Sequence, residues 1–106
     1  MRDLLDQIDA WREQGKRVAL ATVVQAEGST PRPVGAKMAL TPEGDLAGSV
    51  SGGCIEADVF EHAVEVLETG IPRLVRYGFT EDMAFEIGLA CGGAVQVFIE
   101  PVPAVA

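Results

Sequence analysis

Cys54 closes a glycine-rich stretch, Gly48-Ser49-Val50-Ser51-Gly52-Gly53-Cys54-Ile55-Glu56, and leads into a run with helical periodicity. Glycines let a backbone approach a ligand closely, and the first turn of a helix holds amide donors without helical partners. Together they favour an anionic group or a thiolate. The stretch thus outlines an anion cradle with a thiol beside it, although a tight turn carrying a small buried cysteine uses the same residues. A second turn, Gly88-Leu89-Ala90-Cys91-Gly92-Gly93, repeats the combination. A third loop, Gly28-Ser29-Thr30-Pro31-Arg32-Pro33-Val34-Gly35-Ala36-Lys37, is broken by two prolines and supplies two cations, Arg32 and Lys37.

Other chemistries fit poorly. Gly28 and Gly35 with Lys37 have the wrong spacing for a P-loop, and no G-x-G-x-x-G is present. The two cysteines lack C-x-x-C spacing, and adding His62, eight positions after Cys54, still leaves a tetrahedral zinc site short of ligands. His62 reads as a helix-face or core histidine outside the motifs.

The elements that must position these loops follow from periodicity. Leu4, Leu5, Ile8 and Trp11 predict an amphipathic helix from about Asp3 to Gln14, stopped by Gly15, with Leu4 and Trp11 as core. Arg17 to Glu27 holds a β-branched run apolar on both faces, as in a central strand. Ala36 to Thr41 and Asp45 to Val50 read as strands joined by a Pro42-Glu43-Gly44 hairpin. Cys54 to Thr69 predicts the clearest helix, with Ile55, Val59, Ala63, Val66 and Leu67 on one face and Gly70 as its stop. A strand from Arg73 to Phe79, a helical turn from about Glu81 to Ile87 and a last strand from Ala94 to Glu100 complete the order. The expectation is a single α/β domain, α+β-like, with a mixed sheet of about five strands and two main helices packed against it.

Bulk properties narrow the class. With 106 residues, 48% hydrophobic and 23% charged, the chain fits one domain with a core. A formal net charge of -8 and the lack of a basic run argue against nucleic acid or an anionic membrane as partner. Recognition of an anion would have to be local. No apolar run approaches the roughly 20 residues of a spanning helix. The start, Met1-Arg2-Asp3-Leu4-Leu5-Asp6, is too charged for a secretory h-region, so a reducing cytoplasm with free thiols is expected.

In this order, Gly28-Ser29-Thr30-Pro31-Arg32 followed by Gly35-Ala36-Lys37-Met38, then Gly48 to Glu56, then Gly88 to Gly93, resemble the N-terminal domain of the XdhC/CoxI family, the xanthine dehydrogenase accessory proteins. The resemblance runs from about Leu4 to Pro101. It implies a cytoplasmic maturation factor for molybdenum hydroxylases, more a carrier than a catalyst. Such a factor transiently binds the molybdenum cofactor (molybdopterin), works with a cysteine desulfurase that helps supply the sulfido ligand, and hands the cofactor to the hydroxylase apoenzyme. Many members add a C-terminal Rossmann-like domain; residues 1–106 are expected to be the N-terminal domain alone.

That ligand carries a phosphate and a dithiolene-bound metal, which suits amide donors, a cation or two and a soft sulfur. The expected contacts are Gly52, Gly53 and the Cys54 amide for the anion, with Arg32 or Lys37 as countercharge. Ser29 and Thr30 join them unless they only brace the turn. The Cys54 thiol is placed nearest the molybdenum or its sulfur, and Cys91, flanked by Gly92 and Gly93, is a second thiol, or else a packed one. Glu56 has three readings: a favourable acid at a helix start, a partner for Arg32 or Lys37, or a proton-transfer group. Two other functions use the same residues: a small sulfur-transfer or redox enzyme working through Cys54, and an assembly component that completes its pocket with a partner chain or in a homo-oligomer.

Overall fold

A computed structural model of the chain describes residues 2–28, 33–50, 55–78 and 94–103. Two helices, α1 (Arg2–Glu13) and α2 (Glu56–Thr69), pack on opposite faces of a sheet built from β1 (Ala19–Glu27), β2 (Lys37–Leu40), β3 (Leu46–Gly48), β4 (Arg73–Tyr77) and β5 (Ala94–Pro101). The strand order is β3-β2-β1-β5-β4, so the apolar run of β1 is central as its sequence implied.

The expected mixed sheet is antiparallel at every described pairing. The α2 crossover does join two strands of like direction, β3 and β4, which is the usual source of parallel pairing. It lands β4 at the opposite edge, with β2, β1 and β5 between, so the two never touch.

One core lies between the sheet and α2. Alternation along β1 and β5 sends Ala19, Ala21 and Val23, with Val95, Val97 and Ile99, to this face, where they meet Val59, Ala63 and Val66 of α2. The second core is smaller. Ile8 and Trp11 of α1 close over Val18 and Ala39, with Leu4 and Leu20 packed at its margin; Leu5 points away and is 48% exposed.

Both helix stops are the glycines expected. Gly15 takes φ +81°, and the bonds from Gly15 N to Arg12 O (3.0 Å) and from Lys16 N to Trp11 O (3.0 Å) form a Schellman closure. Gly70 takes φ +74° and donates to Val66 O at 2.7 Å. The β2–β3 hairpin turns over Thr41–Asp45, where buried Thr41 Oγ1 donates to Asp45 Oδ2 at 2.6 Å and Lys16 Nζ donates to the same oxygen at 3.0 Å. This ties the end of α1 to the hairpin.

The start of α2 differs from expectation. Its first residue is Glu56, with Ile55 at the N-cap and no side-chain cap bond. Cys54, expected at the helix start, lies outside the described residues, as does the turn expected near Glu81 to Ile87.

Candidate functional site

The ladder brings the described anchors of the three motif segments to one end of the sheet. Glu27, just before the first loop, is the cross-strand partner of Ala94, just after the third. Gly48, at the start of the second, pairs with Met38 beside Lys37. Both helices begin at this end: α1 places Asp3, Leu4 and Gln7 beside Gly35–Lys37 and Gly48, and α2 begins at Glu56. Loops held on a rigid frame are the usual carriers of function.

Of the site residues expected from sequence, Lys37 and Glu56 fall within the described residues. Ser29, Thr30, Arg32, Gly52, Gly53, Cys54, Cys91, Gly92 and Gly93 lie outside them, so only the anchors of their loops are placed.

Glu56 reaches back across the second loop. Its Oε2 accepts the Ser49 hydroxyl at 2.9 Å and the Val50 amide at 3.1 Å. This joins the two ends of the segment containing Gly52, Gly53 and Cys54. The arrangement matches the reading of Glu56 as an acid at a helix start and gives it a second task, closing the loop. The Val50 amide is thereby engaged within the chain.

Lys37 opens β2. Among the described residues its Nζ makes one contact, to Thr22 Oγ1 at 3.4 Å, and no carboxylate pairs with it. Its carbonyl accepts the Ser49 amide at 3.0 Å. Gly48 is packed so closely on that carbonyl that a Cβ there would lie 2.4 Å from Lys37 O. Glycine is thus required by both its φ of +81° and the close approach.

An open groove of about 480 Å³ lies on the α1 side, lined by Asp3, Leu4, Gln7, Gly35, Ala36, Lys37, Ala47 and Gly48. Four of the lining residues are small, Gly35 and Ala36 of the first motif segment and Ala47 and Gly48 at the end of β3, and its cation is Lys37. The volume falls within the roughly 300–1,000 Å³ of small-molecule sites. In size and donor chemistry the groove fits a phosphorylated heterocycle. Next to it β1 carries a bulge: pairing with β5 shifts between Val23 and Gln25, leaving Val24 as the extra residue, 46% exposed. Such bulges often re-aim backbone beside sites. This feature left no mark in the sequence, since Val24 continues a uniform apolar run.

Elsewhere the polar groups read as structural. His62 links α2 to β4: its Nδ1 lies 2.7 Å from Arg73 Nη1 and its Nε2 lies 3.3 Å from Asp58 Oδ2. Tyr77 donates its hydroxyl to Asp58 at 2.6 Å, and Arg73 also donates to Glu65 at 2.7 Å. At the end opposite the motifs, Arg12, Lys16 and Arg17 gather around a groove of about 360 Å³ between the C-terminal turns of the two helices. Cations are favourable there, and Arg17 donates to Leu67 O at 3.4 Å. No cluster of three or more His, Cys, Asp or Glu side chains suited to a metal exists among the described residues, and none of their helices is long and apolar enough to cross a membrane.

Comparison with known proteins agrees with the motifs. The sequence pattern of the XdhC and CoxI family matches residues 11–78. Over 83 residues the chain is 41% identical to the molybdenum cofactor insertion chaperone PaoD of Escherichia coli (strain K12), a match covering 78% of this chain and 26% of that protein. Over 95 residues it is 35% identical to a probable xanthine dehydrogenase component of Bacillus subtilis (strain 168), covering 88% and 29%. The fold matches the crystal structure of a xanthine dehydrogenase from Bacillus halodurans with a TM-score of 0.76 and 31% identity, over 92% of this chain and 30% of that one. The chain thus spans under a third of the length of each of these relatives.

Proposed function

The chain belongs to the XdhC and CoxI family, and from that membership we propose that it binds the molybdenum cofactor and assists its insertion into a molybdenum hydroxylase. The observation that carries this reading is the convergence of the loop anchors, with Glu27 opposite Ala94 and Gly48 opposite Met38 at one end of the sheet. A relative described as a molybdenum cofactor insertion chaperone supports the cofactor class.

In this reading Lys37 holds the phosphate, joined by Arg32, and the backbone around Gly52, Gly53, Gly92 and Gly93 lies against the ligand. Ser29 and Thr30 hydrogen-bond to it, and the Cys54 thiol sits nearest the metal, with Cys91 as a second thiol. Glu56 keeps the Cys54 loop closed. When bound, the cofactor supplies the oxygen-atom and electron transfer of the client enzyme; this chain's part is to hold, orient and shield it. Receipt of a sulfido ligand with a cysteine desulfurase, a cytoplasmic setting and self-association belong to the same proposal. So does cooperation with a second, Rossmann-like domain.

The test is anaerobic incubation of the chain with molybdenum cofactor released from a denatured hydroxylase, followed by gel filtration and assay of retained molybdenum and pterin. Co-elution at near one equivalent is expected. Absence of retention would overturn the reading, and equal retention by Cys54→Ala would remove the thiol from it. A sulfur-transfer enzyme working through Cys54 would instead require a thiol titrating well below about 8.5.

A further inference from the structure

We propose that the groove beside α1 is where the heterocyclic part of the ligand binds, with Asp3 and Gln7 as its specificity-determining side chains and Lys37 as the countercharge for an acidic tail. This rests on the cofactor reading above and extends it to residues outside all three motifs and outside the family match at 11–78.

Asp3 and Gln7 are four residues apart on α1, so they share a helix face, and both line the groove. Opposite them stand Gly35, Ala36, Ala47 and Gly48, whose small side chains let a flat ring lie against backbone. Lys37 completes the lining with a charge that no described carboxylate neutralises. The donor set selects a ligand type. A pterin edge presents a ring N–H and an exocyclic amino group beside a carbonyl. A carboxylate accepts from the two N–H groups together, and a primary amide both donates to the carbonyl and accepts from the ring. An ammonium group takes a phosphate as a point charge. Asp3 also sits in the first turn of α1, where an acid favours the helix on its own account. That role would change stability on substitution and leave ligand binding untouched, so the two are separable.

The experiment follows quenching of pterin fluorescence on titration with the chain, using 6-hydroxymethylpterin, its phosphate ester and inorganic phosphate as competitor. Asp3→Asn and Gln7→Leu are expected to weaken both pterins about tenfold, the scale of one lost hydrogen bond to a charged or buried partner. Lys37→Gln should weaken the phosphate ester alone and abolish competition by phosphate. Unchanged pterin affinity in Asp3→Asn and Gln7→Leu, whether or not their denaturation midpoints shift, would overturn the proposal, as would a wild-type chain that quenches neither pterin. Failure of the cofactor reading looks different: pterins bind with the expected dependence on Asp3 and Gln7, and released cofactor is not retained.

Discussion

Glu56 and Ser49 are hydrogen-bonded at 2.9 Å across the loop that carries Cys54, and the same carboxylate oxygen takes the Val50 amide at 3.1 Å. Glu56→Ala removes the one oxygen that accepts both bonds and takes a partner from the partly buried Val50 amide, so a loss of about 1–3 kcal/mol is expected in urea denaturation. Glu56→Gln keeps one carbonyl acceptor and should lose less. Iodoacetamide kinetics at Cys54 supply the second readout, with faster alkylation in Glu56→Ala as the loop opens. Stability equal to wild type would show that the carboxylate does not hold the loop.

Gly48 and Gly35 separate backbone strain from steric conflict. Both have positive φ, +81° and +96°, yet a Cβ at Gly35 meets nothing within 4 Å while one at Gly48 meets Lys37 O at 2.4 Å. Gly35→Ala should cost about 1 kcal/mol, the conformational share alone. Gly48→Ala should cost about 2–4 kcal/mol, because β2 and β3 must also move apart. Thermal melts of the two variants side by side check this, and equal losses would refute the contact.

Thr41 is fully buried and donates to Asp45 at 2.6 Å. Thr41→Val keeps the shape and removes the hydroxyl, which should cost about 1–2 kcal/mol in denaturant unfolding. Because Lys16 shares the Asp45 carboxylate, combining Thr41→Val with Lys16→Met should cost less than the sum of the single changes.

Two carboxylates among the described residues contribute to the acid limb of stability. The Thr41 hydroxyl, and then Lys16, hold Asp45 below its ordinary value, and hydrogen bonding from Arg73 does the same for Glu65. A carboxylate with a lower pKa in the folded chain contributes stability that is fully present above its unfolded pKa and is lost as pH falls through the folded one. The contribution should therefore be complete at neutral pH and fade below about pH 4. Asp45→Asn and Glu65→Gln should each flatten the fall in melting temperature between about pH 5 and pH 2. An unaltered slope in both would rule these pairs out as contributors.

The positions of the elements were largely legible in the sequence, since they depend on local chemistry. Gly15 and Gly70 stop helices wherever the rest of the chain lies, and Pro42-Glu43-Gly44 turns a hairpin by itself. Register and contacts between distant segments were not. The antiparallel character of the sheet depends on α2 carrying β4 past three strands. The chain from Tyr77 through Asp58 and His62 to Arg73 exists only because the fold sets the edge strand β4 within side-chain reach of α2. For the site, the motif spacings pointed to three loops acting together and the ladder gathers their anchors. The contribution of α1 was hidden, because Asp3 and Gln7 look like ordinary solvated residues of an amphipathic helix.

β5 lies between β1 and β4, although more than sixty residues separate it from the end of β1. Until that strand emerges from the ribosome, β1 lacks one neighbour and β4 has none, so the nascent chain holds a three-stranded fragment and a helix without its partners on β5. Productive folding must wait for the stretch beginning at Ala94, which is also where the third loop is tethered opposite Glu27. Completion of the sheet and tethering of the third loop beside the first therefore become a single late event in synthesis.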